Sequence, residues 1–231
     1  MNPKDRLIVA LDIDSKERAE RLVEELSPHV GMFKVGMELF TSEGPEVVRS
    51  IVAGGGRVFL DLKFHDIPNT VAKAVGSASQ LGAFFVTVHL SGGRAMLEAA
   101  ASALPAEGTQ LLGITVLTSL TDDSLKETGA RGTVAETVLQ LVGLARASGI
   151  DGVVCSPHEV EIIRNVVGDD LMIVTPGIRP KGSAKRDQAR VTTPREALKL
   201  GCDYIVVGRP ITEADSPADA AKAIVEELSR G

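Results

Sequence analysis

Tryptophan is missing from this chain, and tyrosine occurs once. Proteins that hold single-stranded nucleic acid stack bases on aromatic faces, and this chain has few to offer. Positive charge is short as well: 25 Lys and Arg stand against 31 Asp and Glu, for a net charge of −6. Binding a polyanion calls for the opposite excess, so no nucleic-acid partner is expected. An anionic ligand would have to meet a local basic site. Cysteine is nearly absent: Cys155 and Cys202 lie in apolar runs, and no CxxC pair exists. They read as two buried thiols in a reducing compartment. No apolar run reaches the ~18 residues of a membrane span. The opening MNPKDRLIVALDI (1–13) enters a strand with no apolar signal region before it. The expectation is a cytoplasmic protein with no membrane partner.

What is present is a regular alternation. The chain has 231 residues, 44% apolar and 24% charged, an ordinary globular balance with enough length for a full core. Eight short apolar runs recur: LIVALDI (7–13), FKVGM (33–37), RVFLDLKF (57–64), FFVTVHL (84–90), QLLGITVL (110–117), GVVCS (152–156), LMIVTPGI (171–178) and YIVVGRPI (204–211). Several are nearly continuous Val, Ile and Leu, as parallel strands covered on both faces require. Helical patterns lie between them. KERAERLVEELS (16–27) places Ala19, Leu22, Val23 and Leu26 at helical spacing. Ser156-Pro-His-Glu159 and Thr193-Pro-Arg-Glu196 carry a hydroxyl cap, a first-turn proline and a glutamate three residues on. Ser216-Pro-Ala-Asp219 is a weaker version, and Gly149, Gly168 and Gly201 fall where helices stop. No linker interrupts the series. Eight βα units in this length predict an α/β fold, a single (β/α)8 TIM barrel forming one domain over residues 1–231. The alternative is a doubly wound open sheet. It lacks its Gly-x-Gly-x-x-Gly turn after the first strand, where the chain reads DIDSKE.

Such a barrel builds its active site at the C-terminal ends of its strands. Ionisable residues collect there: Asp12 ends the first strand, Lys34 lies on the second, and Asp61 and Lys63 on the third. Residues two apart on a strand face the same way, so Asp61 and Lys63 are expected to point together into the mouth. Asp66 follows in the next loop, so the expected catalytic array runs Lys34-Asp61-Lys63-Asp66. Alternating charges offset one another's desolvation, and Asp61 is expected to keep both lysines protonated. The loops after strands seven and eight, the usual phosphate site of this fold, read PGIRPKGSAKRDQARVTTP (176–194) and VGRP (207–210). Gly177 and Gly208 would let backbone N–H groups approach an anion, with Arg179 and Arg209 supplying charge. The segment 179–192 has the composition of a lid that closes over a phosphate, or of a solvated loop. His65 and His89 lie near the third and fourth strand ends, but no HxH or spaced histidine cluster supports a metal site.

These residues together resemble the orotidine 5'-phosphate decarboxylase family. DLKFHDIPNT (61–70) is similar to that family's D-x-K-x-x-D-I-P-x-T signature. The likeness runs along the chain through ALD, FKVG, LTS, TPGIRP and VGRPI. The resemblance implies decarboxylation of orotidine 5'-monophosphate to UMP, the last step of UMP synthesis, with no cofactor and no metal. Asp12 and Lys34 would bind the ribose hydroxyls, Asp61 would lie beside the substrate carboxylate, and Lys63 would protonate C6. Asp66 and Thr70 would reach into the site of a second subunit, which implies a homodimer with shared sites. Thr121 would lie by the pyrimidine, with Thr118 and Ser119 close in the same loop. Arg179, Gln188, Gly208 and Arg209 would hold the phosphate, with Asp187-Gln188 in the lid. Two rivals remain. One is a metal-dependent sugar-phosphate decarboxylase or aldolase of the same superfamily, such as hexulose phosphate synthase; it needs a carboxylate on strand two, where this chain has Lys34. The other is a non-catalytic sensor of a phosphate ligand, for which Lys63 between two aspartates would be needless.

Overall fold

The computed structural model describes residues 1–180 and 192–230. In chain order the elements are β1 (Leu7–Leu11), α1 (Lys16–Leu26), β2 (Met32–Gly36), α2 (Met37–Glu43), α3 (Glu46–Ala53), β3 (Val58–Phe64), α4 (Pro68–Gln80), β4 (Phe85–His89), α5 (Arg94–Ser102) and β5 (Gln110–Ile114). They continue with α6 (Asp122–Glu127), α7 (Val134–Ala147), β6 (Gly152–Val154), α8 (Val160–Val167), β7 (Met172–Thr175), α9 (Pro194–Leu200), β8 (Tyr204–Val207), α10 (Arg209–Thr212) and α11 (Pro217–Ser229). The strands pair in sequence order, all parallel, and β1 pairs with β8 as well as β2. The ring therefore closes into a barrel, and the open-sheet alternative fails on that pairing.

Each expected strand exists, but most apolar runs overshoot their C-terminal ends. YIVVGRPI divides into β8 and the short α10, whose Ile211 is buried. Apolar residues past a strand end, such as Ile13, Val116, Ile178 and Ile211, join the core between strands and helices, so burial alone does not mark where pairing stops. Helix boundaries follow their side chains more closely. The four expected apolar positions of α1 are its buried ones. Thr193 and Glu196 form the expected capping box at α9. Ser156 and Glu159 form theirs on a 3-10 turn that precedes α8. Gly168 and Gly201 cap α8 and α9 with positive φ, a conformation glycine adopts without a Cβ clash.

The core has two parts. The larger lies between strands and helices and takes Leu7, Val9, Leu11, Val35, Leu60 and Val86. A smaller cluster, including Ile8, Met32, Phe59, Phe85 and Tyr204, comes from the alternate strand positions and fills the lumen. Two residues further along the same faces, the lumen changes from apolar to polar: Lys34 follows Met32, Asp61 follows Phe59, and Thr87 follows Phe85. That step lifts the ionisable groups onto a hydrophobic floor.

Candidate active site

Four charges of alternating sign form a connected run across the first three strands. The Lys34 ammonium donates to Asp12 Oδ1 at 2.8 Å and lies 4.0 Å from Asp61 Oδ2. Lys63 Nζ donates to the same Asp61 Oδ2 at 2.8 Å. The Asp61 and Lys34 side chains are 12% and 13% exposed, against 58% for Asp12, so the run goes from solvent into the protein. A buried charge without a partner costs several kcal/mol, about as much as many domains can spare, and here each inner charge touches an opposite one. Gly36 makes room for the array: a Cβ there would lie 3.0 Å from the Lys34 ammonium.

Asp61 and Lys63 do face each other, but by a less regular route than strand alternation. The β3–β4 register shifts between Leu60, paired with Val86, and Phe64, paired with Val88. Lys63 sits in this bulge with φ of 54°, the sole positive-φ residue other than glycine among the described residues. Such a conformation costs on the order of 1–3 kcal/mol and persists only where its surroundings impose it. A bulge re-aims side chains, and here it brings the lysine over the aspartate.

Thr87, on β4, had no signal in the sequence beyond being a hydroxyl in an apolar strand. It is fully buried; its hydroxyl donates to Asp61 Oδ1 at 3.0 Å and accepts the Lys63 amide at 2.8 Å. His89 ends the same strand, with its ring 5.4 Å from that of His65. Burial first, then the neighbouring His65 and Lys63, push the His89 pKa below the usual histidine value. The shift favours the neutral imidazole beside the array.

The remaining expected residues lie at different places around the mouth. Asp66 and Thr70 are exposed. Asp66 accepts the Ile67 amide and makes no ion pair within its own chain among the described residues, so the inner array is Asp12-Lys34-Asp61-Lys63 without it. Thr121 is exposed and caps α6, its hydroxyl bonded to Ser124. Gly208 lies across from β1, where a Cβ would be 3.6 Å from Asp12 Oδ2. Arg209 begins α10 with an exposed side chain, while Arg179 is buried. The Arg179 amide donates to the Thr192 carbonyl at 3.1 Å, and Ile178 bridges Thr192, so the two stems of the expected lid lie side by side. Gln188 and Asp187 fall outside the described residues. Among the described residues no three His, Cys, Asp or Glu side chains are grouped to hold a metal ion. Glu38, the nearest acid after strand two, is exposed in the first turn of α2. No helix among the described residues is long and apolar enough to cross a membrane.

A closed (β/α)8 barrel with ionisable side chains gathered at its strand ends is the arrangement in which enzymes of this fold build their active sites. This chain belongs to the orotidine 5'-phosphate decarboxylase / HUMPS family, whose pattern matches residues 5–224. It is 53% identical to the orotidine 5'-phosphate decarboxylase of Halorhodospira halophila, over 97% of this chain and 96% of that one. It is 50% identical to that of Moorella thermoacetica, over 99% of this chain and 94% of the relative. Among solved structures, orotidine 5'-phosphate decarboxylase from Lactobacillus acidophilus superposes with a TM-score of 0.86 at 43% identity, covering 96% of this chain and 98% of that one.

Proposed function

We propose that the chain converts orotidine 5'-monophosphate to UMP and CO2 in pyrimidine biosynthesis, using Lys63 as the proton donor and no cofactor. The observation that carries this reading is the Lys63 ammonium held 2.8 Å from a buried Asp61, with Lys34 on the other side of the same carboxylate. The C6–carboxylate bond breaks and its electron pair stays on C6. Lys63 stabilises that charge and gives C6 its proton, and the neutral amine recovers a proton from water. Asp61 lies against the departing carboxylate, so like-charge repulsion falls as CO2 leaves. Asp12 and Lys34, already paired, receive the ribose hydroxyls.

Gly208, Arg209, Arg179 and Gln188 take the phosphate, whose binding energy helps exclude water from the site. Thr121 stands at the pyrimidine end, where its engagement as a helix cap makes the exposed Thr118 and Ser119 competitors for that contact. Asp66 and Thr70, exposed on their own protomer, complete the site of a second copy in a homodimer. The whole chain works as one barrel domain in the cytoplasm, a setting supported by two buried cysteines left as thiols.

The deciding experiment incubates the purified protein with orotidine 5'-monophosphate and follows ultraviolet loss as UMP forms. Stoichiometric UMP and CO2 are expected. A folded, dimeric protein that leaves the nucleotide unchanged would overturn the reading.

A further inference from the structure

We propose that Thr87 is a positioning residue for the proton donor: its single hydroxyl locks the β3 bulge so that Lys63 and Asp61 keep one fixed geometry. The proposal rests on the decarboxylase reading for its catalytic consequence and on the hydrogen bonds alone for its structural part.

Between Leu60 and Phe64 the chain advances four residues on β3 while its partner advances two, from Val86 to Val88. The regular ladder cannot serve every amide over that stretch. An unpaired buried N–H is costly, so the Lys63 amide needs an acceptor. Thr87 supplies it from the β4 residue between those two partners. The same oxygen gives its proton to Asp61 Oδ1, while Lys63 Nζ binds Asp61 Oδ2. Lys63 is thus tied to both oxygens of one carboxylate, through its backbone by way of Thr87 and through its own side chain. This closed loop fixes the carboxylate plane, the bulge and the ammonium together. A hydroxyl has one proton to donate and two lone pairs, and both required bonds are made here. Valine has the same shape and β-branching but can make neither. Serine can make both.

The test compares wild type, Thr87→Val and Thr87→Ser in steady-state turnover of orotidine 5'-monophosphate, UMP affinity, melting temperature and hydrogen exchange at the Lys63 amide. Thr87→Val is expected to lower kcat on the order of 10- to 100-fold, the scale of losing a hydrogen bond to a charged group, with KM and UMP affinity nearly unchanged. Thr87→Ser is expected to stay near wild type, and the Lys63 amide to be protected in both but fast in Thr87→Val. A folded Thr87→Val with kcat within about twofold of wild type would overturn the proposal. So would an equal loss in Thr87→Ser, which would make the methyl group the important part. If Thr87→Val does not fold, Thr87→Ala replaces it, and an unprotected Lys63 amide in wild type is then sufficient to reject the anchor. If the wild-type protein turns over no substrate, the decarboxylase reading fails, and amide protection alone decides whether Thr87 holds the bulge.

Discussion

On the β1–β4 side of the barrel mouth, Lys34, Asp61 and Lys63 stand on strands, Asp12 follows one directly, and each is tied to another by a contact of 4.0 Å or less. On the β7–β8 side, Arg179 and Arg209 come after the strands have ended, one in a loop stem and one opening a four-residue helix. The first side is tied together by its own ion pairs, whereas Arg179 and Arg209 stand on backbone outside the strands. Proton transfer to carbon tolerates little misplacement, whereas a phosphate accepts hydrogen bonds from many directions, so the two sides suit two tasks.

Removing Lys63, the proposed donor, tests the ion-paired side most severely. Lys63→Ala is expected to lower kcat by roughly 10³-fold or more, the combined scale of a general acid and a transition-state charge. Rapid-quench turnover and UMP binding check it; a folded variant that keeps most of its kcat would place the proton donor elsewhere. The loop side should respond differently. Arg209→Ala is expected to cost about 2–4 kcal/mol in kcat/KM for the nucleotide and almost nothing for orotidine, which has no phosphate. Equal losses on the two substrates would assign Arg209 to the fold or the pyrimidine end, and the division of tasks would break down.

A third experiment asks whether the ion-paired side is complete within one chain. Inactive Lys63→Ala and Asp66→Ala subunits, mixed and allowed to exchange, should regain activity, with about one site in four carrying both native residues in a random two-fold assembly. No recovery after verified exchange would confine Asp66 to its own protomer.

A corner away from both sides serves as a control. Glu159 is buried beneath the β6 end, where desolvation pushes its pKa up to about 7, against an opposing hydrogen bond from the Ser156 amide. Between about pH 4.5 and 7 the folded state holds this proton more firmly than the unfolded chain does, so stability falls as pH rises through that window. Glu159→Gln should remove about 2–3 kcal/mol of that slope in denaturant unfolding. An unchanged slope would show that Glu159 binds its proton equally well in the folded and unfolded states. The smallest effect is expected from exhaustive chelation, which should leave turnover unaltered. Loss of activity restored by Mg²⁺ would favour the metal-dependent relatives.

Strand order and the closing barrel were legible because each is written in local pattern, apolar runs and caps, and the closeness of Asp61 and Lys63 was expected from alternation although the bulge produces it. The bulge was not, since it depends on how β3 registers against β4, and neither strand carries a glycine inside the shifted stretch to mark it. Thr87 was hidden for a related reason. Threonine is an ordinary strand residue by its branching, and only the partner strand reveals that its hydroxyl is used. The apolar runs also exaggerated strand length, since Ile178 and Ile211 are buried without belonging to a strand.

The pairing of β1 with β8 bears on synthesis of the chain at the ribosome. Every member of the Asp12-Lys34-Asp61-Lys63 run has emerged once β3 is out, yet Gly208, the neighbour of Asp12 across the closing seam, directly follows the last strand. A nascent chain through β7 holds the charges of the array without the wall that seats the first of them. A complete charge array at the mouth therefore waits for the final strand, and a chain broken off before it carries Lys63 without the closing wall of the barrel.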